Sequence, residues 1–296
     1  MKLNRVRIIL VEPAGPLNVG SVARVMKNMG LEELWLVNPK CDRKSEAAQL
    51  MAVHGGDVLE SAKEAATLPE ALVGCQRAIA TTSRKRDIPI KQDPPRIGIP
   101  WLLEEGVTSA LIFGPEDRGL NNIELNYAQR FISIPANPKY PSLNLAQAVA
   151  ICCYELYQFT MSKEDGIGER PEGRRETEGS LEEAAIGNQQ PLPSLTAPTT
   201  ENTLPPLPIP HSSFPISPTS ETASLDVLEA YVQHLEAVLL KIGYLYPHTA
   251  NSRIEKLRRI LHRATPTPEE VKMLRGILRQ TEWALQFLPR SLIDGK

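Results

Sequence analysis

The stretch VRIILVEPAGPLNVGSVARVMKNMGLEELWLVNPK, residues 6–40, reads as strand, turn, helix, strand. Its opening apolar run, Val6–Val11, is continuous rather than alternating, the pattern of a strand covered on both faces. Glu12-Pro13-Ala14-Gly15-Pro16 breaks that run. Residues 19–29 then place apolar side chains at helical spacing, and Gly30 is positioned to cap the helix. LWLV at 34–37 resumes the strand pattern. A strand, a helix and a second apolar strand make the unit of a mostly parallel α/β sheet.

The same alternation continues outward. Strands are predicted at 78–82, 110–113 and 131–134, and helices at 44–52, 68–73 and 145–159. The last helix carries an apolar stripe of Leu145, Val149, Cys152, Cys153, Leu156 and Phe159. The 296 residues suffice for one α/β domain and a smaller unit, and 42% hydrophobic residues support a packed core. Aromatics at 5% argue against a surface that stacks many bases. The four cysteines form no C-x-x-C pair and lie near no histidine cluster, so they read as small buried hydrophobes in a reducing compartment, with no metal. The N-terminal apolar run is too short for a signal peptide and no run is long enough to cross a bilayer, which predicts a cytoplasmic protein without a membrane partner.

Composition divides the chain into residues 1–161, 162–222 and 223–296. Residues 162–223 hold four Lys/Arg against ten Asp/Glu, a net of −6, and nine prolines fall between Pro191 and Pro218. Such a segment buries too little apolar surface to offset its ordering entropy and reads as a disordered tether, with a Pro-rich docking site as the other reading. Order resumes at Ser224, an N-cap for a helix with apolar residues from Leu225 to Ile242. A basic helix at 251–262 and a third opened by the capping box Thr267-Pro268-Glu269-Glu270 complete a small helical extension, either docked or mobile. Residues 253–290 carry nine Lys/Arg against four Asp/Glu, a net of +5 that the overall charge of −2 conceals.

Three segments carry candidate chemistry. In NVGSVARVMKNMG (18–30), Asn18 stands near a helix start and Arg24 lies six residues on, facing roughly the same loop edge. A helix start with a nearby arginine suits a phosphate, and a turn with a surface arginine is the plainer alternative. In IFGPEDRGL (112–120), Gly114 ends a strand where a side chain would obstruct an approaching group, Glu116 follows, and Gly119 permits a tight turn. In YPSLNLAQAVAI (140–151), Ser142 and Asn144 immediately precede the long helix, and one of them is expected to cap it. Neither G-x-G-x-x-G nor a Walker A motif is present, which counts against dinucleotide and nucleoside-triphosphate enzymes.

Taken in order, Asn…Arg, G-P-E-x-x-G-L and S-L-N-L-A resemble the three motifs of the SpoU/TrmH family of RNA ribose 2′-O-methyltransferases, within the SPOUT class. Residues 6–40 and KLRRILHRATPTPEEVKMLRGIL (256–278) narrow the resemblance to the TrmJ subfamily, which acts on the tRNA anticodon loop. The resemblance implies a SPOUT-type parallel sheet with a trefoil knot formed from about Gly114 to Phe159, plus a small all-α C-terminal extension. It also implies a homodimer, with Arg24 acting near the subunit interface. S-adenosylmethionine is the implied cofactor, held by Thr81, Thr82, Ser83, Gly114, Ile134, Pro141, Ser142 and Leu143. Arg24, Asn18, Glu116, Ser142 and Asn144 are the implied catalytic set. Arg84 and the helix cations Arg253, Lys256, Arg258, Arg259, Arg263 and Arg275 are candidates to touch RNA, with a solvated surface as the plainer alternative. The expected reaction is 2′-O-methylation of cytidine or uridine at nucleotide 32 of tRNA. A ribosomal RNA target and a non-catalytic RNA-binding role are the alternatives.

Overall fold

Seven short strands carry the fold: β1 (Val6–Val11), β2 (Leu34–Val37), β3 (Lys63–Ala65), β4 (Arg77–Thr81), β5 (Gln92–Asp93), β6 (Ser109–Phe113) and β7 (Arg130–Ile132). They form one sheet in the order β3-β2-β1-β6-β4-β7-β5, and every pair is parallel. The computed structural model describes residues 3–82, 91–164 and 222–287. Between and after the strands run α1 (Pro16–Asn28), α2 (Glu46–Ala52), α3 (Gly56–Ser61), α4 (Leu68–Ala71), α5 (Pro95–Gly98), α6 (Asn122–Leu125) and α7 (Leu145–Glu164). The C-terminal segment adds α8 (Leu225–Lys241), α9 (Pro247–Ala264) and α10 (Pro268–Leu285).

The continuous apolar strands are buried on both faces, as their pattern requires. Ile8 and Leu10 of β1, with Leu36, Leu111 and Phe113, pack beneath α1, α2, α3 and α7. Their neighbours Ile9, Val11 and Ile112 point the other way, beside the small Ala78, Ala80 and Ala110. Leu68, Leu125 and the C-terminal helices belong to this second core, through Leu225, Leu228, Val232, Ile254 and Val271. Of the two sequence-based expectations for the extension, docked or mobile, the structure has the docked one. The contact is specific as well as apolar. Leu225 N–H donates to Cys75 C=O at 2.7 Å, Gly74 N–H donates to Asp226 Oδ1 at 2.9 Å, and the Arg258 guanidinium lies 5.4 Å from the Tyr127 ring centre.

Local signals set the element ends. Gly30 takes φ +67°, and α1 closes with Leu31 N–H to Met26 C=O at 2.9 Å and Gly30 N–H to Lys27 C=O at 3.3 Å, a Schellman motif. Thr267 and Glu270 form the expected capping box. Other boundaries differ. Ser224 precedes α8 but makes no side-chain cap bond, α9 begins at Pro247, and α7 runs three residues past the expected boundary at 161. Strands β3 and β5 were not expected: KEA and QD are short, polar and at the sheet edges, so no apolar run announces them. Most of the Pro-rich segment lies outside the described residues.

His262 on α9 hydrogen-bonds the backbone of Ala128, and burial, followed by the neighbouring Arg258 charge, pushes its pKa down to about 4. The unfolded chain therefore binds this proton more readily than the folded one. Stability is full above about 6.5 and is lost as pH falls toward 4, by on the order of 3 kcal/mol. The melting temperature measured by calorimetry should fall across that window, and His262→Gln should fall less than wild type.

Candidate active site

Parallel sheets of this kind offer ligand sites at the carboxyl ends of their strands, where the strand order reverses. The chain leaving β1, β4, β6 and β7 meets there, and Thr81, Thr82, Gly114, Ile134, Pro141, Ser142 and Leu143 line one cleft with Glu116 and Arg118. These are all the expected cofactor residues that fall among the described ones; Ser83 and Arg84 lie outside them. The apolar Phe113, Leu120 and Leu145 and the acidic Glu116 and Asp117 are also among the residues that line the cleft. Thr81 Oγ1 donates to Ile112 C=O at 3.0 Å, tying the end of β4 to β6.

One chain of hydrogen bonds joins the three sequence segments. Asn18 Nδ2 donates to Glu116 Oε1 at 2.7 Å, and Asn144 Nδ2 donates to Asn18 Oδ1 at 3.0 Å. Ala14 N–H reaches Glu116 Oε2 at 3.3 Å. Asn144 is also the cap of α7: its Oδ1 accepts from Ala146 N–H at 2.9 Å, and Gln147 Oε1 accepts from Asn144 N–H at 3.3 Å. Of the two capping candidates it is therefore Asn144 that caps, with one end of its amide, while the other end holds Asn18. Ser142 lies on the cleft wall instead.

Arg24 stands apart. Six residues turn a helix by about 600° and advance it about 9 Å, so Arg24 points about 120° away from Asn18. The two do not share a loop edge as the sequence suggested, and Arg24 is not on the cleft wall. It is exposed and makes no hydrogen bond or ion pair among the described residues. Its stripe of α1 is instead that of Leu17, two turns earlier and 54% exposed. The C-terminal cations divide in a similar way. Arg253, Lys256 and Arg263 are exposed, and Arg259 lies 3.9 Å from Glu255. Arg258 is turned inward, its Nε and Nη2 on the Glu229 carboxylate at 3.1 and 2.9 Å, so it clamps α9 to α8. Arg275 is half-buried, with Nε enclosed and unpaired among the described residues.

Sequence reasoning missed Arg118. Its guanidinium meets Glu124 at 2.9 Å through both Nη1 and Nη2, meets Glu12 at 2.7 Å, and donates to Gly119 C=O at 3.0 Å. The hydrogen bond from Arg118 holds the Glu12 carboxyl below the usual carboxylate range. Glu12 itself sits at φ +46°, where the chain turns off β1. The only local sign was a cation inside a tight turn, because one of its partners lies 106 residues away. The loop it fixes is folded closely over Gly114, whose hypothetical Cβ would fall 2.3 Å from Leu120 N and 2.4 Å from Gly119 C. The need for glycine thus arises from the chain's own loop, not from an approaching ligand. Gly114→Ala should push the 114–120 loop aside at a cost of about 1–3 kcal/mol. Hydrogen exchange should speed up at these amides, and unchanged exchange would contradict the close approach.

The SpoU rRNA Methylase family model matches residues 5–154, and the model of the C-terminal domain of tRNA methyltransferase TrmJ matches residues 226–290. The chain is 36% identical over 282 residues to the tRNA (cytidine/uridine-2′-O-)-methyltransferase TrmJ of Cronobacter sakazakii, covering 95% of this chain and 97% of that protein. Among solved structures it is similar to TrmJ from Z. mobilis, with a TM-score of 0.69 and 28% identity over 93% of this chain and 98% of that one. A probable methyltransferase from Bordetella pertussis shares 38% identity with a TM-score of 0.50, over 53% of this chain and 96% of that one. The N-terminal sheet and the C-terminal helices are thus matched separately as well as together, and the chain belongs to the SpoU methylase family, in its TrmJ branch.

Proposed function

We propose that this chain transfers a methyl group from S-adenosylmethionine to the ribose 2′-hydroxyl of a pyrimidine in the tRNA anticodon loop, at nucleotide 32. The observation that carries the reading is the Glu116–Asn18–Asn144 junction beside the cleft, in a chain alike over nearly all its length to tRNA (cytidine/uridine-2′-O-)-methyltransferases. The cleft fits the cofactor in kind. Apolar walls suit an adenine ring, threonine hydroxyls and loop backbone supply polar contacts, and the Glu116 and Asp117 carboxylates suit a sulfonium cation. When bound, the cofactor supplies an electrophilic methyl group. Thr81, Thr82, Gly114, Ile134, Pro141, Ser142 and Leu143 would hold it, with Ser83 completing the set.

The residues of the chain would do the rest. Asn18, Glu116 and Asn144 fix the geometry of the loop edge where the ribose must enter. Arg24 grips the phosphate next to the reacting ribose and orients the hydroxyl, since a guanidinium stays protonated and is a poor base. The proton then leaves to phosphate or water. Because Arg24 is off the cleft of its own chain, it would act on a cleft completed by a second copy. Leu17, Leu50, Met51 and Val53 of α1, α2 and the following turn, with Ile151 and Tyr154 of α7, are exposed apolar residues that suit such a homodimer. The chain leaving β6 must pass β4 to form β7 and then return to Asn18, a path in keeping with the trefoil knot of the SPOUT class. A cytoplasmic enzyme of this kind would hold tRNA phosphates with Arg253, Lys256, Arg259 and Arg263.

Arg24→Ala should lower methyl transfer to tRNA at least about a hundredfold, while calorimetry finds S-adenosylmethionine affinity nearly kept. Full activity would overturn the assignment. Nucleoside mass spectrometry of tRNA and ribosomal RNA from a deletion strain should show loss of one 2′-O-methyl pyrimidine in tRNA; a loss confined to ribosomal RNA would move the substrate there.

A further inference from the structure

The turn between α8 and α9 presents aromatic rings to solvent in a fixed arrangement. Leu245 is buried and its N–H donates to Leu239 C=O at 3.0 Å, which anchors the turn from inside. Its two neighbours are thereby turned outward: Tyr244 is 59% exposed and Tyr246 57%. Neither ring is left to wander. Tyr246 stacks on His248 with centres 5.9 Å apart and planes at 22°, and Tyr246 C=O accepts from Thr249 and Ala250 N–H at the start of α9. The Arg253 guanidinium lies 5.8 Å from the Tyr244 ring centre and donates through Nη1 to Tyr244 C=O at 3.1 Å. No acidic residue occurs between Glu236 and Glu255, whereas Lys241 and Arg253 do.

Two exposed rings, a stacked imidazole, a guanidinium beside one ring and no carboxylate in the intervening sequence favour one kind of occupant. Unpaired bases stack on aromatic and guanidinium planes, and the phosphates that link them need cations and repel acids. An apolar protein partner would have no use for a guanidinium held beside the ring. We propose that Tyr244, Tyr246 and Arg253 form a stacking site for an unpaired nucleotide of the RNA substrate, with Arg253 also meeting the phosphate of that nucleotide, beside the contacts of Lys256, Arg259 and Arg263 on the same helix. This rests on the RNA-methylating function proposed above and adds a contact that reads single-stranded rather than duplex RNA.

The test uses the full chain and its binding to an unmodified tRNA transcript, to an RNA duplex and to a loop-bearing ribosomal RNA fragment, each over a range of salt. Tyr244→Ala with Tyr246→Ala should weaken binding to RNA containing unpaired bases by about tenfold or more. Its salt dependence should be unchanged, because stacking releases no counterions. Duplex binding should not move, and Tyr244→Phe with Tyr246→Phe should retain wild-type affinity. Arg253→Ala should weaken binding and also flatten the salt slope. Wild-type affinity in the double alanine variant, as a protein-docking role would give, overturns the proposal. So does equal loss on duplex RNA, or a loss in the phenylalanine variant as large as in the alanine one. Failure of the tRNA reading looks different: wild type then methylates ribosomal RNA and leaves tRNA unmarked, and the same ring comparison is read on the ribosomal fragment.

Discussion

Asn18 is the smallest part of this molecule on which the most depends. Its side-chain amide faces both ways, giving a hydrogen bond to Glu116 and taking one from Asn144. Those partners lie 98 and 126 residues away, in loops that leave different parts of the sheet. A single asparagine at the start of α1 therefore sets the relative position of the loop after β6 and the start of α7. Each bond is exposed to solvent, where hydrogen bonds contribute about 0.5–1.5 kcal/mol net. Their importance lies in alignment more than in stability.

Stability comes from elsewhere. The parallel strands need cover on both faces, and the chain supplies it in two ways. Residues from α1, α2, α3 and α7 close one face, while the C-terminal helices share the core on the other. The extension is thus part of the folded unit as well as a carrier of surface cations. Arg258 shows how the two roles divide. It has the same residue type as its exposed neighbours on α9, yet with Glu229 it is one half of an ion pair whose side chains are only 12% and 14% exposed. Such a pair is costly to break from one side. The exposed Lys256 and Arg263 carry no such constraint, which leaves them available to a polyanion.

The central strands were legible because burial on two faces demands unbroken apolar runs, and β1 and β2 fall where those runs lie. Edge strands β3 and β5 were hidden for the converse reason: three and two residues of largely polar character carry no periodic signal. The lining of the cleft was reached through the family resemblance. Its hydrogen bonds were not, because the pairing of Asn18 with Glu116 and Asn144 depends on how distant loops cross. Arg24 is near Asn18 in sequence, but the angle around the helix carries its side chain away from the edge that Asn18 occupies. The ion pairs of Arg118 with Glu12 and of Arg258 with Glu229 had no sequence mark, because these partners are brought together by tertiary structure. His262 similarly had no sequence mark of its burial against Ala128.

If the three segments act as one unit through Asn18, their contributions to catalysis cannot be independent. A double-mutant cycle on methyl transfer to tRNA, with Asn18→Ala, Asn144→Ala and both together, measures this directly. Strong coupling is expected, with the double variant hardly slower than the worse single one. Rate losses that simply multiply, as for residues that do not interact, would contradict the account.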